Sequence, residues 1–163
     1  YSFRVGGPFT LEAGASYFPT TRMVHDSTVV EGQGQLVEVG TVDQSIGILD
    51  ATVRFNVTGP RTYRGLQPFL LAGLGLARDF SSLSSKEEDI DPQARFRFGT
   101  RFAGQIGAGV EWFALRRVAI RAEARDIFWR LTTPQAIVRQ DLRTPSREWV
   151  QNYSLSLGLS YHF

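Results

Sequence analysis

Hydrophobic and polar residues alternate at every second position over most of this chain, most plainly at its end. From Tyr153 the odd positions read Tyr153, Leu155, Leu157, Leu159, Tyr161 and Phe163, separated by Ser154, Ser156, Gly158, Ser160 and His162. A helix with 3.6 residues per turn would scatter both sets around its circumference, whereas an extended strand sends them to opposite faces. The same test predicts strands upstream. Phe102, Ile106, Ala108, Val110 and Trp112 oppose Arg101, Gln105, Gly107, Gly109 and Glu111. Val118, Ile120, Ala122 and Ala124 oppose Arg121, Glu123 and Arg125. Leu70, Ala72, Leu74 and Leu76 alternate with Gly73 and Gly75, with Phe69 and Leu71 adding bulk to the second face. Leu49, Ala51, Val53, Phe55 and Val57 alternate with Asp50, Thr52, Arg54 and Asn56. Phe9, Leu11, Ala13, Ala15 and Tyr17 alternate with Glu12, Gly14 and Ser16, while Tyr1, Phe3 and Val5 read as the tail of another strand.

One face of these strands is a uniform coat of aliphatic and aromatic side chains. The other carries Arg4, Glu12, Asp50, Arg54, Arg101, Glu111, Arg121, Glu123 and Arg125 among small residues. In a water-soluble sandwich or barrel the apolar face would fill the interior and the charges would face solvent. The near balance of five cations and four anions suits the opposite arrangement, a closed polar lumen of ion pairs, because an unpaired buried charge is costly. Apolar outside and polar inside is the pattern of a membrane-spanning β-barrel. Tyr161, Phe163 and Trp112 fall near one end of their strands, and Tyr17, Trp149 and Tyr153 near the other. That is the placement of two interfacial aromatic belts. Asp126 is the misfit, on the apolar register between Ala124 and Phe128, and marks either a bulge or the headgroup level.

The connections alternate in length. Residues 6–8, 58–66 and 115–117 make short links, while 21–44, 81–99 and 132–148 are long and polar, the habit of barrels with short periplasmic turns and long external loops. Residues 29–44 alternate well enough for a hairpin folded at Gly32-Gln33-Gly34. Seven strands are countable, one ending near Val5 and others starting near Phe9, Ser45, Gln67, Thr100, Val118 and Trp149. Bacterial single-chain barrels have an even number of strands, so an eighth strand is expected before Tyr1, with both ends of the barrel on the periplasmic side. The chain opens on Tyr-Ser-Phe-Arg-Val, without a basic start or apolar core, and so reads as processed or missing its beginning.

Composition narrows this little further. A chain of 163 residues is one domain. Eighteen basic against sixteen acidic residues leaves a formal charge of +2, with no clustered basic face for nucleic acid. The absence of cysteine excludes disulfides and thiolate metal sites. The longest nearly uninterrupted apolar run, 68–77, is about half the roughly 20 residues a spanning helix needs.

The segments Thr10-Leu-Glu-Ala-Gly-Ala-Ser-Tyr-Phe-Pro19, Gln67-Pro-Phe-Leu-Leu-Ala-Gly-Leu-Gly-Leu76 and Gly104-Gln-Ile-Gly-Ala-Gly-Val-Glu-Trp-Phe113 resemble the small OmpA-like outer-membrane barrels. So do Ala119-Ile-Arg-Ala-Glu-Ala-Arg-Asp126 and the ending Ser156-Leu-Gly-Leu-Ser-Tyr-His-Phe163. The resemblance covers nearly the whole chain. It implies an antiparallel up-and-down barrel of eight strands in the Gram-negative outer membrane, its lumen plugged by charged side chains. It also implies a C-terminal signal, here Leu159, Tyr161 and Phe163, read by the barrel-assembly machinery. Because the chain ends on what resembles the barrel's own terminal signal, no wall-binding domain is expected to follow, and a wall-anchoring role is not among what the resemblance implies here.

Candidate chemistry beyond this is sparse. A hydrolase would need a Ser beside a His oriented by a carboxylate. His162 shares a face with Ser160, and His25 stands next to Asp26 and Ser27, but neighbours in sequence point apart on a strand; no enzyme and no catalytic residue is expected. The run Glu87-Glu88-Asp89 with Asp91 lacks the spacing of a calcium loop, so neither metal nor cofactor is expected. Arg22, Arg95, Arg97, Arg130 and Arg139 lie in or near the external segments, where a lipopolysaccharide phosphate would meet a guanidinium. The expected function is a non-enzymatic scaffold that presents loops and docks other envelope proteins. A narrow small-solute channel is the alternative, and a lipid-modifying enzyme the less favoured one.

Overall fold

A computed structural model describes residues 1–30, 33–82, 98–132 and 147–162; for 24–30 and 33–39 it describes the backbone alone. It contains seven strands: β1 (Ser2–Gly6), β2 (Phe9–Val30), β3 (Gln33–Asn56), β4 (Leu66–Asp79), β5 (Thr100–Phe113), β6 (Val118–Thr132) and β7 (Arg147–Tyr161). They form one antiparallel sheet whose spatial order is the sequence order. The strands start where the alternation predicts, with one exception. The long polar segment 21–44, within which a hairpin folded at Gly32-Gln33-Gly34 is expected, is the outer part of a β2–β3 hairpin whose ladder runs on from Thr21↔Asp43 to Val30↔Gln33. Its many β-branched residues, among them Thr20, Thr21, Val24, Thr28, Val29 and Val30, hold the backbone extended even where neither face is apolar. One bulge interrupts it, between Val24 and His25.

The short links are built by residues that turn the chain at little cost. Tyr63 and Leu66 exchange backbone hydrogen bonds of 2.8 and 2.9 Å around Arg64 and Gly65. Their φ values of 53° and 79° are the paired left-handed conformations of a tight hairpin turn. Gly7, at φ 56°, serves the β1–β2 turn in the same way.

The sheet is strongly curled. Glu12 on β2 lies within 2.8 Å of Arg121 on β6, although four strand steps separate them and a flat sheet would place them roughly 19 Å apart. It is not closed: β1 and β7 are its edges, and no ladder joins them. Because successive strands alternate in direction, these two edge strands run parallel to each other.

Curling sorts the two faces. The convex face carries the apolar positions, with Leu155, Leu157 and Leu159 exposed by 86%, 78% and 79%. The concave face encloses two chemically distinct zones. Nearest the short turns it holds the charged residues of β2, β3, β5 and β6. Further along the same strands it holds an apolar layer of Ile46, Ile48, Ala77, Phe98, Ala103, Ile127 and Trp129, against which Phe18, Leu131 and Val150 pack. A polar interior over the full length of the strands, expected from the sequence, is therefore found only over the part next to the short turns.

Candidate functional site

The charged zone is a connected cage. Inward positions fall on every second residue, so Glu12, Arg54 and Glu111 reach the interior from three strands, and Arg121, Glu123 and Arg125 line up along β6. Arg54 is 4% exposed and Glu111 1%. Their contact is 2.7 Å between Nη2 and Oε2. The Arg54 Nε–H donates to Asn56 Oδ1 at 2.7 Å, and its other nitrogens lie 3.4 Å from Glu12 and from Gln67. Arg121 grips Glu12 with two parallel bonds of 2.8 Å, the fork geometry in which guanidinium and carboxylate match best. Its Nε–H donates to Glu123 at 2.8 Å, and Arg125 donates to the other Glu123 oxygen at 2.7 Å. Asp50 closes the cage, 3.7 Å from Arg125 and accepting from Gln105 at 2.7 Å. Phe69 is buried beneath both central arginines, whose guanidinium carbons stand 4.1 and 4.7 Å from its ring centroid. The ring fits because residue 109 is glycine: a Cβ there would collide with Phe69 and come within 2.6 Å of the Ala122 carbonyl.

Of the nine residues expected to form ion pairs in the interior, the structure brings together Glu12, Asp50, Arg54, Glu111, Arg121, Glu123 and Arg125. Arg4 and Arg101 stand apart. Arg4 lies on the inward register of the five-residue edge strand β1, opposite Thr10, but is exposed at the open edge and makes no ion pair among the described residues. Arg101 lies beyond the apolar layer, donating to the Phe98 carbonyl at 2.8 Å and to Thr132 at 3.2 Å. The neutral members Thr52, Asn56, Gln67 and Gln105 were not singled out from sequence. Their inward register was the available signal, since a buried charge needs every remaining lone pair and proton satisfied.

The other expected sites disperse. Arg130 is exposed on the convex face of β6, 6.0 Å from the Trp149 ring. Arg22 lies in β2 on the inward register, not in a loop. Arg95, Arg97, Arg139 and the run at 87–91 fall outside the described residues, as do Phe163 and the side chains of His25, Asp26 and Ser27. Leu159 and Tyr161 project from the convex face. Asp126 marks no bulge: both its ladders run through in register, and it accepts from Gln151 at 3.3 Å.

Ser160 and His162 do meet, at 3.4 Å, beside Glu111. The Ser160 hydroxyl donates to Glu111 at 3.2 Å, and the same His162 nitrogen, Nε2, faces both the serine and the carboxylate, 4.0 Å away. A relay needs the carboxylate on the opposite ring nitrogen, so this trio is a hydrogen-bonded corner of the cage and not an activated nucleophile. Among the described residues no three His, Asp or Glu side chains converge as metal ligands.

Beside the cage, along the open edge, lies a cavity of about 840 Å³. It runs from His162, Phe113 and Asn56 near the short turns to Asp50 and Arg125 just below the apolar layer. Comparison with protein families, with curated proteins and with solved structures finds no match to this chain.

Proposed function

We propose that the chain is an outer-membrane β-barrel of eight strands, a rigid non-enzymatic scaffold that holds its long connections outside the membrane for envelope partners to dock on. The observation that carries this reading is the inversion of the two faces. Leucines and aromatics are exposed over the whole convex side while Glu12, Arg54 and Glu111 are buried. In water such a surface would aggregate, since exposed apolar patches beyond a few hundred Å² are rare on monomers. In a lipid bilayer it is the low-energy arrangement.

The open edge supports the eighth strand. The leucine-bearing part of β7 has unpaired backbone groups on its outer side, which hydrocarbon does not tolerate. Pairing β7 directly with β1 would put one parallel ladder into an antiparallel sheet. A single strand between them, entering upstream of Tyr1 as the sequential order of the sheet suggests, is antiparallel to both. In this reading Arg130 and Trp149 sit at headgroup level, where lipopolysaccharide phosphates are within reach. Leu159, Tyr161 and Phe163 present the end that assembly machinery reads during insertion.

The test is reconstitution. The chain refolded in detergent and mixed with phospholipid vesicles is expected to float with them through a density gradient and to stay with them after alkaline washing. A chain that remains monomeric in buffer without detergent and does not float overturns the reading.

A further inference from the structure

We infer that the permeability seal of the interior is the apolar layer and that the ion-pair cage, its centre at Arg54 and Glu111 buried, only borders a blind, water-accessible vestibule on its Arg121 and Arg125 side. The inference rests on the barrel reading for its biological setting, but its physical content concerns the interior alone. Ion pairs are the obvious plug, because they bridge β2, β3, β5 and β6 across the interior. They are not, however, where the interior is closed. The cavity beside them, which runs along the open edge between β1 and β7, reaches their guanidinium and carboxylate groups, and the side chains of Arg121 and Arg125 remain 19% and 18% exposed. Gly158, on the inner face of β7, has open space where a side chain would stand.

The cavity stops where the chemistry changes. Above Asp50 and Arg125 the next inward positions are Ile48 and Ile127, followed by Ile46, Ala103 and Trp129, with Ala77 fully buried. Phe98 closes edge-on against Trp129, ring centroids 5.5 Å apart. Every strand from β2 to β7 contributes a residue to this layer, counting Phe18 and Val150 at its margins. Ser16 and Asn152 stand beside Ile48 and Ile127, but the next level is ringed by Phe18, Ile46, Ala103, Trp129 and Val150. A narrow passage lined by such side chains offers an ion or a water file little to replace its hydration, so it stays dry. The cage, by contrast, presents the partly exposed Arg121 and Arg125 to the cavity.

The protein has no cysteine, so single cysteines report each level cleanly. The folded full chain in mild detergent is treated with a charged methanethiosulfonate reagent. Thr10→Cys and Ser154→Cys stand at the level of the cage; Ala77→Cys and Ala103→Cys, both small changes, stand in the layer. The cage positions are expected to react at least about tenfold faster than the layer positions, which are reached only through local opening. In planar bilayers the wild type and Glu123→Gln are expected not to conduct, while Ile127→Ser combined with Trp129→Ser conducts.

Equal labelling rates at the two levels overturn the inference, and so does conductance in Glu123→Gln with the layer intact. Should the double variant not fold, the labelling ratio decides alone. Failure to float with vesicles removes the membrane reading and leaves the labelling result standing on its own.

Discussion

The two zones of the interior are built on the same strands by the same alternation, yet they obey different rules. In the cage each residue is answerable to particular partners. Arg54 has Glu111, Glu12, Asn56 and Gln67 around it; losing Glu111 strands its charge, and losing Asn56 or Gln67 leaves one of its N–H groups without an acceptor. In the layer Ile46, Ile48, Ile127 and Trp129 need only volume and dryness. The cage therefore gains little net stability from its pairs, whose desolvation offsets much of their attraction, but is intolerant of a missing member. The layer gains from burial in proportion to area and degrades gradually.

Substitutions can break or sharpen this contrast. The largest effect is expected from Glu111→Ala, which leaves Arg54 buried without its closest counter-charge and should cost roughly 3–5 kcal/mol, read as a lowered urea midpoint of the chain refolded in detergent. An unchanged midpoint would mean that water already solvates Arg54. Ile127→Ala in the layer should cost roughly 2–4 kcal/mol, through a cavity and not through a stranded charge. Replacing it by Val should recover most of that loss in the same titration, a rescue that Glu111→Gln should not match. Gly109→Ala, which forces Phe69 off its seat under the two arginines, should cost about 1–3 kcal/mol. The change should also show in the near-ultraviolet circular dichroism of the aromatic residues. Smallest of all, Arg4→Ala is expected to shift the midpoint by no more than about 0.5 kcal/mol; a loss comparable to that of Glu111→Ala would place Arg4 inside the cage after all.

Much of this was legible from period two alone. Wherever one face is apolar and the other charged, as in Val118 to Arg125 or Tyr153 to His162, strand, face and neighbours follow directly. The pattern fails where both faces have the same character. Ile46-Gly-Ile48-Leu49 and Ile127-Phe128-Trp129 are apolar on both sides; parity carried on from Asp50 and Arg125 puts Ile46, Ile48, Ile127 and Trp129 inside, but no contrast between the faces marks the change, and the dry layer escapes notice. Residues 20–23 and 41–45 carry mostly polar side chains on both sides, so the hairpin could be read only from the alternation of 29–44, and the pairing that joins it to the inner strands could not. Phe98 lies in a connection and has no periodicity to read. The pairing of Glu12 with Arg121 depends on how far the sheet curls, a property of the whole and not of either strand. The charged membership of the cage could be guessed from parity; its wiring could not.

The hairpin order of the sheet gives those long-range pairs a further role. Each strand hydrogen-bonds only to its neighbours in sequence, so the sheet can zip together one turn at a time, with short loops closing first. Glu12 and Arg121 are 109 residues apart and meet only after five strands are in place and the sheet has curled. A slip of one residue in any intervening ladder would turn a charge outward onto the leucine face and leave its partner alone inside. The last contacts to form are thus the ones that proofread all the earlier ones: a misregistered sheet cannot complete the cage, and only the correctly counted one comes to rest.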